Sequence, residues 1–282
     1  MYDRRESIAK STWDVDVEPA TTASSSPRIS RSPSPTLTDQ RQPIHRQSLS
    51  HLNSEISSSS FTYPAIYMCF LTGLTASPSF AACFIWCGFQ TGNAAQLGLA
   101  LARLITPDHQ RTFGFQKMDQ QALVSLLSFF AGSSIGQLGY RIGPKKRYWL
   151  VGATFTQMVF MAIAALISHY SGEDGLANSR GDPSWAKPMG MTALGFLSAT
   201  MGLQGAVGLR LGTPMATTVP LTSTWIDIFN DPFIFAFRSV KTRDIRCAGA
   251  LSLILGAFVS RATIGVIGSS GTIGVGAAFR AI

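Results

Sequence analysis

The sequence predicts an all-α, polytopic integral membrane protein with about six transmembrane helices, arranged in two related halves that contain polar re-entrant or broken helices. Three observations predict this fold class. The 47 residues between Glu55 and Arg103 carry no charged side chain, and about 20 apolar residues suffice for one helical crossing. Further long apolar segments follow. The second half of the chain also resembles the first.

Residues 1-60 form a polar N-terminal tail that we expect to be disordered. The tail is rich in Ser, Pro, Thr and Arg, and it has too few large apolar residues to offset the entropy cost of ordering. It holds 7 of the 23 Lys and Arg residues and 7 of the 15 Asp and Glu residues, so the net charge of +8 belongs to residues 61-282. Three Ser-Pro steps, at Ser26, Ser32 and Ser34, are candidate phosphorylation sites.

Residues 61-282 form the predicted membrane domain, with halves at about 61-168 and 188-282. Six crossings are the central expectation. The last segment is the weakest because its five glycines lower helix propensity. The predicted helices lie at 64-82, 119-139, 148-168, 188-209, 246-260 and 262-280, with a further uncharged segment at 84-102 that either crosses or re-enters.

Charged residues in the short loops orient these segments. The loops at 140-148 and 238-246 are basic, whereas the loop at 169-187 contains three acidic residues. Basic loops face the cytoplasm, so the tail and both basic loops are predicted to be cytoplasmic. The loop at 103-118 would then lie outside with three Lys and Arg residues, which keeps a true crossing at 84-102 as the alternative.

A weak internal repeat relates the two halves. Lys117 to Gly136 aligns with Lys241 to Ser260, and upstream of these Thr91-Gly92-Asn93 falls opposite Thr222-Ser223-Thr224. Each polar triplet follows an apolar span, so both halves contain a polar break at the same place. If each half has three spans, the halves are inverted and the breaks approach the midplane from opposite sides, as discontinuous helices do around transporter solute sites.

The two breaks supply the candidate binding site. Pro214 and Pro220 disfavour a continuous helix in the second half. Polar groups in apolar surroundings must face protein, water or a solute, so the freed carbonyls and hydroxyls either bind a cation or hydroxylated solute or satisfy the broken backbone. The candidate substrate-binding residues are Gln90, Thr91, Gly92, Asn93, Gln96, Gln204, Thr218, Thr222 and Asp227.

Asp227 lies in an apolar stretch far from either end of the chain. An acid within a membrane segment is a candidate for proton or cation coupling, and Arg210 is its expected countercharge. The alternative is that Asp227, with Asp231 four residues later, lies near a helix end at the membrane interface.

The sequence offers little material for catalysis, metal binding or nucleic-acid binding. Gly132, Ser134 and Gly136 match the Gly-x-Ser-x-Gly hydrolase pattern, but within an apolar helix rather than at a strand-to-helix turn, so we interpret them as a packing seam. The four cysteines form no Cys-x-x-Cys pair and predict no metal site. We expect no enzyme activity and no cofactor, and the short basic clusters between apolar segments do not predict a nucleic-acid partner.

Two blocks of motifs resemble a known family. They are Gln90-Thr91-Gly92-Asn93 with Leu97-Gly98-Leu99, and Gly202-Leu203-Gln204 with Leu211-Gly212-Thr213-Pro214 and Thr217 to Ser223. Through these blocks, about residues 63-280 resemble the YoaK-like family, domain of unknown function twelve seventy-five, multi-pass membrane proteins of bacteria and fungi. The Ser/Pro-rich tail and Asp231-Pro232 resemble fungal members. The chain departs from the family pattern at Ala76, where members often have an acidic residue, and at Pro220, which is commonly aliphatic.

The resemblance implies a polytopic membrane protein and no established activity, so two functional hypotheses stand. In the first, the protein is a transporter or channel-like carrier of a small solute or ion through a midplane polar site. In the second, it is a membrane scaffold or interaction protein whose disordered tail binds partners. Both place the chain in a lipid bilayer, and its Gly-x-x-x-Gly spacings also suit a homo-oligomer. The sequence identifies neither the solute nor the membrane.

Overall fold

The computed structural model describes residues 52–58, 60–106, 114–179, 184–213, 218–219, 221–235 and 238–282. The predicted disorder of the tail concerns residues that lie almost entirely outside these ranges. The described part of the chain is helical and contains no β-strand, only an isolated bridge between Glu55 and Lys146. Its helices are α1 Thr62–Cys83, α2 Gln90–Ile105, α3 Lys117–Ile135, α4 Leu138–Ile142, α5 Arg147–Ser171, α6 Pro188–Leu211, α7 Thr222–Phe229 and α8 Lys241–Phe279.

Five helical stretches among the described residues are long and apolar enough to cross a membrane. They are α1, α3 joined with α4 (Lys117–Ile142), α5, α6 and α8. The apolar stretches of α1 and α6 are 67% buried, whereas those of the other three are 22–28% buried. Helices α1 and α6 therefore form the centre of the bundle, and the other spans surround them.

Local sequence signals explain where several helices begin and end. Helix α3 starts with a capping box, in which the Gln116 and Asp119 side chains bond each other's backbone N–H groups. Helix α6 starts with Pro188, which needs no donor at that position. Helices α5 and α6 end at Gly172 and Gly212, whose positive φ angles of 63° and 64° suit glycine.

Backbone hydrogen bonds define two ends of the bundle. At the end that we call the loop end, the Ala177 and Ser184 N–H groups donate to the carbonyls of Ala81 and Ala82 at the close of α1, both at 2.9 Å. At the opposite end, the tail end, the Ile56 N–H donates to the Lys145 carbonyl at 3.0 Å. The last residues before α1 therefore pack against the turn before α5, and α1 runs from the tail end to the loop end.

Helix α8 reverses direction at Gly268, where the backbone leaves helical geometry (φ 74°, ψ 175°). A straight helix would separate Gly256 from Phe279 by roughly 35 Å. Yet Gly256 lies against the Phe70 carbonyl of α1, while the Tyr67 hydroxyl, one turn earlier in α1, donates to the Phe279 carbonyl. The predicted segments 246-260 and 262-280 thus belong to one helical element folded at Gly268, and the described residues hold five candidate spans where the sequence predicted about six.

Four glycines reveal an internal two-fold relation between the halves. A methyl group added at Gly256 of α8 would lie 2.0 Å from the Phe70 carbonyl of α1, and one added at Gly132 of α3 would lie 2.0 Å from the Ala199 carbonyl of α6. In the reverse direction, a methyl group added at Gly73 of α1 would lie 2.1 Å from the Leu253 carbonyl, and one added at Gly202 of α6 would lie 2.1 Å from the Phe129 carbonyl. The α1·α8 and α3·α6 pairs are therefore equivalent helix contacts.

The register of these contacts matches the repeat seen in the sequence. Gly132 and Gly256 are 124 positions apart, the same offset as between Lys117 and Lys241. Helix α6 runs from the loop end to the tail end, opposite to its counterpart α1. The corresponding helices of the two halves therefore run in opposite directions. Gly132 and Gly136 pack against Ala199 and Ala206 of α6, so the Gly-x-Ser-x-Gly pattern lies in a helix contact.

We expect Gly256→Ala to lower the free energy of unfolding by about 1–3 kcal/mol, because the added methyl group collides with backbone that cannot move aside cheaply. Thermal unfolding of the purified protein in detergent measures this. Gly265→Ala in the same helix is the matched control, since a methyl group there meets no atom within 4 Å. Equal stability of the two variants would contradict the close α1·α8 contact.

Candidate functional site

The first polar break lies between α1 and α2 and turns back along α1. The Cys87 N–H donates to the Ser79 hydroxyl at 3.4 Å, and the Cys87 thiol donates to the Thr75 carbonyl at 3.8 Å. Cys87 therefore lies about one to two helical turns inside the loop end of α1. Helix α2 then returns towards that end, where Arg103 forms an ion pair with Asp119 at the start of α3.

The second break follows α6 and turns back in the same way from the tail end. Val219 lies beside Gly205, with 3.8 Å between its Cγ2 and a methyl group added there, and Thr218 lies beside Gly208. Helix α7 then leads to the surface, where Asp227 forms an ion pair with Arg246 of α8 at 3.1 Å. Pro214, Thr217 and Pro220, which the sequence placed in this break, lie outside the described residues.

The two breaks meet inside the bundle. A methyl group added at Gly88 would lie 3.0 Å from Cγ1 of Val219 and 3.5 Å from Cε of Met201. Val219 and Met201 are fully buried. The first break enters from the loop end and the second from the tail end, so this junction lies between them and is filled by side chains.

A set of buried polar side chains, the interior cluster, lies next to the junction and is centred on Gln204 of α6. The two N–H groups of the Gln204 amide nitrogen are shared among three acceptors: the hydroxyls of Thr72, at 2.8 Å, and Thr218, at 3.2 Å, and the Met68 carbonyl, at 3.0 Å. The Thr72 hydroxyl in turn donates to the Thr218 carbonyl at 2.7 Å. The second break has backbone groups that are not paired within a helix, and these bonds connect it to α1 and α6, as an apolar interior requires.

Arg280, just after α8, completes the interior cluster. Its guanidinium donates to the side-chain oxygens of Gln204, at 2.7 Å, Thr75, at 3.2 Å, and Gln157, and to the sulfur of Met161. Arg280 is only 3% exposed. The reversal at Gly268 is what brings this residue from the end of α8 into the middle of the bundle.

A second polar cluster holds the start of α2. The Asn93 amide nitrogen donates to the oxygens of Gln90, at 2.8 Å, and Ser125, at 3.1 Å, and Ser125 shares a hydrogen bond of 2.9 Å with Ser198 of α6. Gln90 also donates to the Cys87 carbonyl at 2.8 Å. This cluster anchors the first break to α3 and α6.

The remaining candidate residues are distributed over the surface. Thr91, Gly92 and Thr222 are exposed, and Gln96 is half-buried beside a small aromatic cavity. Asp227 is 46% exposed at its side chain. Its expected partner, Arg210, instead donates to the Gly136 carbonyl and stacks on Tyr140. The candidate list therefore divides into the interior cluster, the α2 cluster and residues at the periphery.

Two cavities approach the clusters from opposite ends. A cavity of about 640 Å³ runs along α5 from Arg147 at the tail end to Met158 and includes Arg280 in its lining. A smaller cavity of about 190 Å³ is lined by Gly92, Asn93 and Gln96, together with four aromatic side chains. Gly88, Met201 and Val219 of the packed junction line neither cavity.

A family model described as "Protein of unknown function (DUF1275)" matches residues 64–282. This chain belongs to the DUF1275 family. The matched range covers the breaks and both polar clusters, and it confirms the family resemblance inferred from the motif blocks. Comparisons with curated proteins and with solved structures find no match.

Four members of the interior cluster of this DUF1275 protein were missed by sequence reasoning: Thr72, Thr75, Gln157 and Arg280. Gln157 carried a usable signal, because an amide in the middle of a long apolar helix needs a polar partner. Arg280 carried none, since it follows an apolar segment as many interfacial arginines do. Only the reversal at Gly268 places its guanidinium in the interior.

We expect Gln204→Leu to lower the free energy of unfolding by about 2–4 kcal/mol, because it leaves Arg280 and the second break without buried partners. Thermal unfolding in detergent provides the measurement. The control is Gln137→Leu, which changes an exposed glutamine at the end of α3. A Gln204→Leu protein as stable as its control would show that the interior cluster contributes nothing to the fold.

Proposed function

We propose that this DUF1275 protein is an integral membrane transporter that carries a small solute or ion through the interior cluster. The observation that carries the proposal is a buried, hydrogen-bonded polar cluster beside the point where two broken segments meet from opposite ends. Inverted halves with discontinuous helices around a central site are the architecture of many secondary transporters. In this proposal Asp227 and the other described carboxylates near the tail end lie outside the solute path.

In this proposal α2 and α7 are re-entrant helices rather than crossings. Helix α2 has 16 residues and α7 has 8, so they extend over about 24 Å and 12 Å, against a hydrocarbon thickness of about 30 Å. The segment 84–105 enters and leaves through the loop end, and the described residues of the segment 212–229 lie between the interior and the tail end. The tail end bears Lys145, Lys146 and Arg147, so the positive-inside rule orients it to the cytoplasm.

The two cavities supply the access routes. The larger one leads from the tail end to Arg280, and the smaller one leads from the loop end to Asn93. Transport requires the junction of Gly88, Met201 and Val219 to open between them. Such an opening has to exchange the hydrogen bonds that anchor the first break to α3 and the second break to α1 and α6.

The filled junction also favours a second candidate function, that of a membrane scaffold. In a scaffold the interior cluster only satisfies the broken backbone, and the junction never opens. The two candidates differ in whether solute crosses the protein and in whether the cluster controls that movement.

Uptake into liposomes tests the proposal with three planar solutes of similar size and different charge: nitrate, urea and guanidinium. We expect at least one to enter faster than into empty liposomes, with saturable kinetics. Thr72→Val should lower that uptake at least about fivefold, since losing a buried hydrogen bond costs about 1–3 kcal/mol. Thr156→Val, at a half-buried threonine whose hydroxyl donates to the Gly152 carbonyl within α5, should leave it unchanged.

The membrane potential is clamped near zero with valinomycin and equal potassium on both sides of the membrane, so that charge movement does not limit uptake. Uptake equal to that of empty liposomes for all three solutes would overturn the transport proposal and favour the scaffold. Uptake that responds equally to Thr72→Val and Thr156→Val would place the path outside the interior cluster.

A further inference from the structure

We infer that the interior cluster is an anion site and that its ligand is a small planar oxyanion of the carboxylate or nitrate type. This inference deepens the proposed function and rests on it for the claim that the anion is carried. The binding site itself stands on independent observations: the charge of the cluster, its unused donors and its place at the floor of a cavity.

The first observation is the charge of the interior. Arg280 is buried, and its partners are two amides, one hydroxyl and one thioether, all neutral. None of the carboxylates among the described residues pairs with it; those with ion pairs, Asp119, Asp227 and Asp244, bind other arginines. A buried charge is costly unless a counter-ion accompanies it, so the cluster favours an anion beside Arg280.

The second observation is the set of unused hydrogen-bond donors. An arginine has five N–H donors, and four of those of Arg280 have acceptors in the cluster, which leaves one at Nη1. The Gln157 amide oxygen accepts from Nη1, while its amide nitrogen, Nε2, is buried and has no hydrogen-bond partner. Planar guanidinium and amide donors side by side match the in-plane oxygens of a carboxylate or nitrate.

The third observation is the route to the site. The cavity of about 640 Å³ contains Arg147 near its tail-end mouth and Arg280 at its inner end. No Asp or Glu is among the described residues that line it, and the wall between the two arginines is largely apolar, with Leu150, Val151 and Phe155. A low-dielectric channel with cations at both ends concentrates anions and repels cations.

A purely structural role for Arg280 is the competing explanation, since its hydrogen bonds also join the end of α8 to α1, α5 and α6. Gln157→Glu separates the two roles. The substitution is nearly isosteric, keeps an acceptor for Arg280 and supplies an internal counter-ion while removing the unused amide donors. If Arg280 is only a structural crosslink, Gln157→Glu should preserve or strengthen it. If Arg280 binds an anion, the new carboxylate should occupy the anion site.

The binding experiment measures the unfolding temperature of the full-length protein in detergent. Sodium nitrate and sodium formate are titrated against sodium gluconate at constant ionic strength, and urea and guanidinium serve as neutral and cationic counterparts at concentrations well below denaturing ones. We expect a saturable rise with nitrate and formate in wild type and in Gln137→Glu, an exposed control. In Gln157→Glu the basal unfolding temperature should be equal or higher, and the rise should be lost.

The liposome assay gives the second readout. We expect nitrate uptake to exceed that of urea and guanidinium and to fall at least tenfold in Arg280→Gln and in Gln157→Glu. If Arg280→Gln fails to fold, Gln157→Glu still tests the inference. Arg261→Gln, at an exposed arginine of α8 outside the cluster, should retain nitrate uptake.

The outcomes separate the two proposals. Anion binding lost in Gln157→Glu without any uptake would support the anion site and overturn transport. Saturable uptake of urea or guanidinium that is insensitive to Gln157→Glu would support transport and overturn the anion site. A nitrate and formate response that persists in Gln157→Glu, or no response in wild type, would show Arg280 to be a structural crosslink and overturn the inference.

Discussion

The requirement that every backbone polar group in an apolar interior find a partner governs this structure. Two segments leave helical geometry in the middle of the bundle, and side chains of the central helices pair with their freed groups. The Ser79 hydroxyl accepts from Cys87 in the first break, and the Thr72 hydroxyl donates to Thr218 in the second. The breaks therefore require the polar clusters. Only the hydrogen-bond donors that this pairing does not use are available to bind a ligand.

The close helix contacts at glycines fix the positions of the helices between which the two breaks meet. Gly73 with Gly256, and Gly132 with Gly202, bring α1 against α8 and α3 against α6 at backbone distance. Because the two pairs are related by an internal two-fold, the breaks project inward from opposite ends. Gly88 and Val219, which touch at the junction, are 131 positions apart, the same offset as between Thr91 and Thr222. The junction thus lies where the two halves bring equivalent positions together.

The polar triplets that the sequence predicted as breaks, 91-93 and 222-224, lie in the first turns of α2 and α7, just after the segments that leave helical geometry. Much of the remaining architecture, above all the long helices, could be predicted from hydropathy. The reversal at Gly268 could not, because an apolar segment with several glycines fits a second crossing, a continuation or a return. The interior position of Arg280 depends on that reversal and was missed with it. Asp227 was a candidate coupling residue because it is an isolated acid in an apolar stretch. It is the sixth residue of the short helix α7, however, where it lies at the surface and pairs with Arg246.

The convergence of the two breaks is tested most directly by crosslinking them. Gly88→Cys and Val219→Cys, introduced together after replacement of Cys69, Cys83, Cys87 and Cys247, place two thiols within disulfide reach. On mild oxidation of the protein in membranes we predict an intramolecular disulfide in this pair, detected as a shift in electrophoretic mobility. The pair of Gly92→Cys with Val219→Cys should remain reduced, since a side chain at position 92 meets no atom within 4 Å. No crosslink between positions 88 and 219, or equal crosslinking of both pairs, would contradict a junction of the two halves in the interior.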